Sequence, residues 1–210
     1  LTFVVVGGGP TGVETAGAFV ELFDTLNDDC AQFDTREEAR CLLLEMEDDL
    51  LPPYKAPQRA YTRQVLEARG VDVQTNTAVE RVAPDRVHLA DGRVLPTQTL
   101  VWAAGVKASP VANLLDAEQD QGDRVVVSPD LTVPEHPDVY VVGDMAAIEG
   151  EDGYEPQLAQ VAIQSGRHAA DQIQRRLRDA TTERFEYWDL GQMATIGRNA
   201  AVAEFAGGIA

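Results

Sequence analysis

A glycine-rich turn follows directly after the first apolar run of the chain. The run Leu1–Val6 ends in the sequence GGGPTG at residues 7–12, and a helical pattern begins at once. In such a strand–turn–helix unit Gly7 permits the turn, Gly9 lets the backbone approach a pyrophosphate, and Gly12 lets the helix pack closely on the strand. The helix N-terminus then offers an anion site through its free N–H groups. The pattern predicts a dinucleotide-binding site rather than a purely structural turn.

An acidic residue ends the next predicted strand, Cys41–Leu44. In dinucleotide-binding folds such a carboxylate accepts hydrogen bonds from the adenosine ribose and repels a 2′-phosphate, which favours NAD(H) over NADP(H). Glu45 lies 33 residues after Gly12, against a usual spacing of about 20. The polar stretch Phe23–Arg40, predicted as a loop with a short helical piece at its end, accounts for the excess. We assign Glu45 to the ribose, with an ordinary exposed acid as the alternative.

Two later strands end in residues that suit close approach by a ligand. The predicted strand Thr99–Trp102 runs through small residues to Ala104 and Gly105, which leave room for a flat ligand against the backbone. Simple tight packing would explain the same residues. A second strand, Asp138–Val142, ends in Gly143-Asp144, whose carboxylate suits a polyol or ribityl hydroxyl.

Two glutamines lie four residues apart near the start of a long predicted helix, Gln157–Arg178. Because this spacing places side chains on one face, the amides of Gln160 and Gln164 project to the same side. Two aligned amides can bind a polar planar ligand or can simply be solvated. His168, further along the helix, is interpreted as a packing or surface residue.

The remaining pattern predicts an α/β fold built on a Rossmann-like parallel sheet. A helix over Gln58–Arg69 ends at Gly70, which suits a helix C-terminus. From Val79 to Leu95 the apolar period changes to two, which predicts an antiparallel β-meander inserted into the sheet domain. Short apolar segments at the end of the chain predict the start of a further β-rich module: Phe185–Trp188, Met193–Ile196 and Ala200–Phe205.

Composition excludes several classes of partner and site. The net charge is −18, with 35 acidic against 17 basic residues, so nucleic acid is a poor partner. The acids are spread along the chain, which indicates a salt-loving source; an ordinary acidic cytosolic protein is the alternative. Cys30 and Cys41 do not form a CxxC pair, which argues against a redox disulfide and against zinc, and no metal site is predicted. No apolar run is long enough to span a membrane.

Taken in order, five motifs make the chain similar to a known family. They are GGGPTGVE (Gly7–Glu14), LVWAAGV (Leu100–Val106), VYVVGD (Val139–Asp144), AQVAIQ (Ala159–Gln164) and ATIGRNAAVA (Ala194–Ala203). The chain resembles type II NADH:quinone oxidoreductases, flavoproteins with two dinucleotide-binding domains of the pyridine nucleotide-disulfide oxidoreductase superfamily. The resemblance implies an NADH-binding domain over 1–105, the C-terminal half of the FAD-binding domain over 106–182, and the start of a C-terminal domain over 183–210.

The resemblance also implies roles for individual residues. Glu14 matches a glutamate near the nicotinamide and flavin that assists hydride or quinone chemistry, although an acid in the first helical turn also complements the helix dipole. Asp144 would contact the ribityl or pyrophosphate part of FAD, Ala159 and Gln160 would lie against the isoalloxazine, and Gln160 with Gln164 would line the quinone site. The predicted catalytic residues are therefore Glu14, Gln160 and Gln164. The predicted cofactor-binding residues are Gly7, Gly9, Pro10, Thr11, Gly12, Glu45, Ala104, Gly105, Gly143, Asp144, Ala159 and Gln160.

For the intact protein the resemblance implies transfer of hydride from NADH to FAD and of electrons to a quinone of the respiratory chain. Ferredoxin- or rubredoxin-reductase-like activity and a non-catalytic NAD-binding module are the alternatives. The protein is expected in the cytoplasm or at the cytoplasmic face of the plasma membrane, attached through later helices, and a homodimer is allowed. The chain opens inside a core strand without an initiator Met. This start suggests a fragment; the resemblance implies a first FAD-binding glycine motif before residue 1, and we expect residues 1–210 alone to be inactive.

Overall fold

A computed structural model of the protein describes residues 1–29, 34–120, 122–151 and 153–205, which form two compact units. The first unit comprises Leu1–Gly105 together with the chain from Gly191 onward, and the second spans Val106–Leu190. Cys30 lies outside the described residues.

Helices separate the first three strands, and most of the later elements are short strands. The helices are α1 (Pro10–Asp29), α2 (Thr35–Glu38), α3 (Ala56–Ala68) and α4 (Ala159–Arg176), with 3₁₀ turns at Pro110–Leu114 and Gly143–Met145. The first strands are β1 (Thr2–Val6), β2 (Arg40–Leu44), β3 (Val71–Gln74), β4 (Val79–Ala83), β5 (Arg86–Leu89), β6 (Val94–Pro96) and β7 (Thr99–Trp102). They are followed by β8 (Val125–Val126), β9 (Thr132–Val133), β10 (His136–Tyr140), β11 (Ala146–Ala147), β12 (Glu149–Gly150), β13 (Gly153–Tyr154), β14 (Gln192–Gly197) and β15 (Ala200–Glu204).

A parallel four-stranded sheet in the order β3-β2-β1-β7 forms the centre of the first unit. Alternate residues of its strands face opposite sides: Val5 and Leu43 pack with α1 and α3, and Val4 and Leu42 pack with the meander β4-β5-β6. Both faces of the sheet are therefore buried, which is why β1 and β2 are continuous apolar runs. The predicted Rossmann-like sheet with an inserted antiparallel meander is confirmed.

The first helix is longer than the sequence predicted. Phe23–Arg40 was expected to be a loop, whereas α1 continues to Asp29, so the prediction is wrong for the first part of that stretch. The reason is packing: Phe23 keeps the helical spacing of the buried face, and its ring lies 5.0 Å from that of Phe3 on β1. Burial of this aromatic residue outweighs the polar composition of its neighbours. The short helical piece at the end of the stretch is confirmed as α2.

The β14–β15 hairpin packs on α1 of the first unit. A Cβ built at Gly17 would lie 2.7 Å from the carbonyl oxygen of Ile196, so the hairpin backbone reaches the helix only because a glycine is there. The two strands predicted over Met193–Ile196 and Ala200–Phe205 are confirmed. The sequence predicted that residues 183–210 together begin a further domain. In the structure, residues 183–190 belong to the second unit, whereas the hairpin, from Gly191 onward, belongs to the first. A C-terminal domain beginning at 183 stays a prediction.

The second unit consists of short strand pairs packed with α4 around a small apolar core. β8 pairs in parallel with β11, and β9 pairs antiparallel with β10. The predicted segment Phe185–Trp188 is not a strand; Phe185 is buried, and its N–H donates to the carbonyl of Pro129 at 2.7 Å. Among the residues that the structure describes, no helix has the length and apolar character needed to cross a membrane.

Candidate functional site

The glycine turn has the geometry that its spacing predicts. Gly7 has a φ of +110°, in the region that favours glycine. A Cβ built at Gly12 would lie 1.7 Å from the carbonyl oxygen of Gly7, so only glycine allows α1 to start this close to the turn. At Gly9, in contrast, no atom lies within 4 Å of a built Cβ. The backbone of Gly9 therefore faces open space that a ligand can enter.

The start of α1 offers backbone donors beside this space. Val13 N donates to the carbonyl of Gly9 at 3.0 Å. The amides of Thr11 and Gly12 have no hydrogen bond within the described residues, and Pro10 at the first helical position has no N–H to satisfy. Two amides at the positive end of the helix dipole suit an anionic group.

Glu45 lies at the end of β2 and is tied to the glycine turn. Its side chain is largely buried; Oε2 accepts a hydrogen bond from the amide of Gly8, and Oε1 accepts one from the amide of Glu47 at 2.8 Å. The carbonyl of Gly8 in turn accepts from the amide of Leu51 at 2.9 Å. The segment after β2 is thus fastened to the turn, and the spare acceptor positions of a carboxylate allow a ribose hydroxyl as well.

Small residues after β7 complete the edge of the sheet near the turn. A Cβ built at Gly7 would lie 2.7 Å from the carbonyl carbon of Ala103, so the chain passes close to the turn there. Ala104 and Gly105 are exposed, and a Cβ built at Gly105, where φ is +92°, meets no atom within 4 Å. Tight packing therefore explains Ala103, whereas the space at Ala104 and Gly105 is open.

Glu14 projects from the first turns of α1 towards the hairpin. It is exposed, and its Oε1 accepts a hydrogen bond from the amide of Thr195 on β14 at 3.1 Å. Tyr54 is buried, and its hydroxyl has no hydrogen-bond partner within the described residues. Burial, with the charges of Glu14 and Glu204, raises the pKa of Tyr54. The phenol therefore remains protonated in the neighbourhood of the Glu14 carboxylate.

In the second unit, Gly143-Asp144 is held by the N-terminal half of α4. The amide of Gly143, where φ is +61°, donates to Ser165 Oγ at 3.1 Å, and a Cβ built there would lie 3.1 Å from that of Ala162. Gln157 Nε2 donates to the carbonyl of Asp144 at 2.9 Å. The Asp144 side chain is exposed, and its carboxylate has no hydrogen bond or ion pair among the described residues.

The two glutamines of α4 are neither free nor simply solvated. Gln164 bonds the backbone of Trp188 through both atoms of its amide, and Gln160 Oε1 accepts from the amide of Leu190 at 3.3 Å and from Tyr187 Oη at 3.4 Å. Ala159, the first residue of α4, is exposed beside them.

Several residues that position the candidate site carry no clear signal in the sequence. Ser165, Gln157 and Thr195 each bind a predicted site residue through a hydrogen bond between positions distant in sequence. Burial of Ser165 follows from its helical spacing to Val161 and Ala169, but its partner is fixed only by the fold. Among the described residues no cluster of three or more His, Cys, Asp or Glu side chains has the arrangement of a metal site.

A cleft of about 610 Å³ lies in the second unit, and none of its lining residues is among those predicted to be functional. Arg124, which lines it, lies over the Tyr154 ring at 5.3 Å and pairs with Asp120 at 2.7 Å, while its Nη1 donates to the carbonyl of Glu155. Burial and the charges of Asp189 and Glu151 raise the pKa of Glu155.

Comparison with known proteins extends the similarity over the whole chain. The chain is 41% identical over 229 residues to the type II NADH:quinone oxidoreductase Ndh of Mycobacterium tuberculosis, covering 100% of this chain and 48% of that protein. It is 40% identical to NdhA of the same organism, covering 99% of this chain and 47% of that one. The chain thus spans about half the length of these relatives. The resemblance to type II NADH:quinone oxidoreductases is confirmed.

Solved structures show the same fold. NDH2 from Plasmodium falciparum, solved in complex with NADH, matches with a TM-score of 0.86 and 18% identity over 98% of this chain and 57% of that one. A ferredoxin reductase from Rhodopseudomonas palustris matches with a TM-score of 0.67 and 16% identity over 92% of this chain and 44% of that one. The pattern of the pyridine nucleotide-disulphide oxidoreductase family matches residues 1–166. Since this pattern covers well over half of the 210 residues, the chain belongs to the pyridine nucleotide-disulphide oxidoreductase family.

Proposed function

We propose that the intact protein is an FAD-dependent NADH:quinone oxidoreductase. The observation that carries this proposal is the 40–41% identity over essentially the whole chain to two type II NADH:quinone oxidoreductases. We assign residues 1–105 to NADH binding, 106–182 to the C-terminal half of the FAD-binding domain, and 183–210 to the start of a C-terminal domain. When bound, FAD supplies the redox chemistry that couples hydride donation by NADH to two-electron reduction of a quinone.

The glycine turn of the first unit supports binding of NAD(H). Open space at Gly9, the amides of Thr11 and Gly12, and the dipole of α1 suit the pyrophosphate. Ala104 and Gly105 leave room for a flat ring beside β7. Together these groups would bind and orient the dinucleotide without any basic side chain.

The buried acid Glu45 supports selection of NADH over NADPH. Its two hydrogen bonds to the amides of Gly8 and Glu47 fix the carboxylate at the edge of the glycine turn. The carboxylate oxygens can accept hydrogen bonds from ribose hydroxyls, and their negative charge repels a 2′-phosphate. The acidic side chains of Glu47 and Asp48, both exposed, add to this repulsion.

The second unit supports binding of part of FAD. The unpaired, exposed carboxylate of Asp144 can accept hydrogen bonds from ribityl hydroxyls, and Ser165 holds Gly143 so that the backbone stays close to α4. Ala159 and Gln160 at the start of α4 would lie against the isoalloxazine, where the positive end of the helix suits electron-rich ring oxygens.

We assign the electron-transfer side of the reaction to Glu14, Gln160 and Gln164. The Thr195 amide holds the Glu14 carboxylate, and burial, with the charges of Glu14 and Glu204, raises the pKa of Tyr54, so its hydroxyl keeps its proton. Glu14 would hold or move a proton near the nicotinamide and quinone, while the two glutamines would line the quinone site. The alternative role of Glu14, as a helix-dipole acid, predicts little change in turnover on Glu14→Gln.

Several features of the intact protein remain part of the proposal. By resemblance, we place it at the cytoplasmic face of a membrane within a respiratory chain, attached through segments outside residues 1–210, with a homodimer as one assembly. The net charge of −18 supports a salt-rich source, because screening relieves self-repulsion. Thermal unfolding should therefore occur at a higher temperature in molar KCl than at low salt; a Tm independent of KCl would argue for an ordinary acidic protein.

The test of the proposed reaction is NADH oxidation by the full-length, FAD-loaded protein. We expect reduction of a soluble quinone, with NADH preferred over NADPH and little activity with ferredoxin as acceptor. Ferricyanide serves as the control for the NADH half of the reaction. Reduction of ferredoxin but not of quinone would overturn the proposal in favour of a ferredoxin-reductase-like enzyme, and NADH binding without any oxidation would favour a non-catalytic module.

A further inference from the structure

The segment Tyr187–Leu190 has no regular structure, yet two side chains of α4 hold its backbone. Gln164 Nε2 donates to the carbonyl of Trp188 at 2.9 Å, and Gln164 Oε1 accepts from the amide of the same residue at 3.0 Å. One turn earlier, Gln160 Oε1 accepts from the amide of Leu190 and from Tyr187 Oη. The helix thus fastens a stretch of chain that has no strand partner.

The pairing of Gln164 with Trp188 depends on the amide group of the Gln164 side chain. It reproduces the two hydrogen bonds that facing residues exchange in an antiparallel sheet. A glutamine side chain is suited to this, since it carries a donor and an acceptor side by side. A carboxylate in the same place would keep the bond from the Trp188 amide but would turn an oxygen towards the Trp188 carbonyl.

The side chains that this pairing places are apolar and largely open to solvent. Trp188 is 73% exposed and Leu190 is 62% exposed. Ile163, which shares the helix face of Gln160 and Gln164, is 54% exposed. Apolar side chains carried on a fixed backbone beside amide groups can receive a flat, apolar ring with polar edges at a low cost in ordering.

We propose that Gln164 is a positioning residue for the quinone reaction, acting through Trp188. Its amide holds the backbone of Trp188, and so keeps the side chains of Trp188 and Leu190 beside Gln160, where the quinone headgroup binds. This inference rests on the proposed function, and it assigns to Gln164 an action through the chain in place of a direct bond to the quinone.

The discriminating variant is Gln164→Glu, because a protonated carboxyl group has the same donor and acceptor as the amide. When ionised, the side chain loses the bond to the Trp188 carbonyl; when protonated, it restores the pair. The titratable groups on neighbouring elements are Tyr187 and Asp189 on the segment, Glu186 just before it, His168 one turn along α4, and Glu155, whose pKa Asp189 helps to raise. The acids among them favour protonation of a new carboxyl group.

The kinetic experiment measures KM for a soluble quinone with the full-length, FAD-loaded protein. For Gln164→Glu we expect KM to rise roughly tenfold at about pH 8 and to return to within about twofold of the parent protein at about pH 4, below the ordinary glutamate pKa of about 4.3. Gln164→Leu should show the higher KM at both pH values. Gln174→Glu, an exposed glutamine further along α4, controls for the added charge and should behave as the parent does.

Hydrogen exchange of the Trp188 amide gives a readout that does not depend on turnover. It should lose protection in Gln164→Leu and keep it in Gln174→Glu. Unchanged protection in Gln164→Leu, or a high KM of Gln164→Glu at both pH values, would overturn the inference. If the parent protein reduces no quinone, the proposed function fails, and the exchange experiment still decides whether Gln164 holds Trp188.

Discussion

Two glycines of the same turn are expected to respond in opposite ways to the same substitution. Gly12→Ala places a methyl group 1.7 Å from the carbonyl oxygen of Gly7, whereas real Cβ atoms essentially never come within 3.0 Å. Gly9→Ala places a methyl group where no atom lies within 4 Å. Neither residue has a positive φ, so backbone conformation does not separate them. The first substitution should damage the fold, and the second only the ligand site.

The expected magnitudes follow from these distances. Relieving the overlap at Gly12 requires the helix or the turn to move by more than about 1 Å, and overpacking of this kind costs roughly 3 kcal/mol or more when backbone is involved. The gain in helix propensity from Gly to Ala, about 1 kcal/mol, only partly offsets this cost. The net loss corresponds to a fall in Tm of several degrees, on the order of 5–10 °C. At Gly9 the stability should change by less than about 0.5 kcal/mol.

The assay compares thermal unfolding and NADH titration of the full-length protein for both variants. Gly9→Ala should have the same Tm as the parent protein. It should bind NADH at least about tenfold more weakly, because its methyl group occupies the space assigned to the pyrophosphate. Gly12→Ala should lose stability, and lose NADH affinity as a consequence. The reasoning fails if Gly12→Ala is as stable as the parent, or if folded Gly9→Ala binds NADH as tightly as the parent.

Three further outcomes follow from single side chains. Glu45→Gln should reduce the preference for NADH over NADPH roughly tenfold in kcat/KM, since the fixed charge is removed; an unchanged ratio would show that the charge does not select the cofactor. Burial raises the pKa of the Cys41 thiol to about 12, so mass spectrometry should find its peptide alkylated only after unfolding; rapid labelling of the native protein would contradict this burial. Hydrogen bonding by the Arg198 amide, with Arg69, lowers the pKa of Glu21 below its ordinary 4.5. The ionised Glu21 carboxylate therefore stabilises the fold above pH 4.5, and this contribution is lost as the pH falls further. The difference in Tm between Glu21→Gln and the parent protein should shrink in acid. A difference that stays constant with pH would exclude this linkage.

The parallel sheet was predictable because its signals are local. The apolar runs of β1 and β2 report burial on both faces, and the glycine turn fixes where α1 begins. The meander was equally clear from its period of two. The loop predicted from Phe23 onward was wrong because the residues around Phe23 are mostly polar. Only the contact of Phe23 with Phe3 shows that the helix continues.

The sequence predicted on which elements the candidate residues lie, but not which partners their side chains bind. The sequence placed Gln160 and Gln164 on one helix face and left open whether they bind a ligand or water. In the structure they hold a segment of backbone some 24 to 30 residues away. No local pattern encodes such a pairing: the apolar residues of Phe185–Trp188 predicted a strand, whereas the groups that hold this chain are side-chain amides of α4.

The hairpin at the end of the chain is fixed by two acids of the first helix. Glu14 accepts from the amide of Thr195, a residue 181 positions away, and Glu21 accepts from the amide of Arg198 and pairs with Arg69 at 2.7 Å. The two acids are separated by two helical turns, so they lie along one face of α1. Glu21 holds the turn of the hairpin, and the register of β14 then determines where the Thr195 amide meets Glu14. The first and last motifs of the chain therefore depend on each other, because the last one sets the position of the carboxylate that we assign to the reaction.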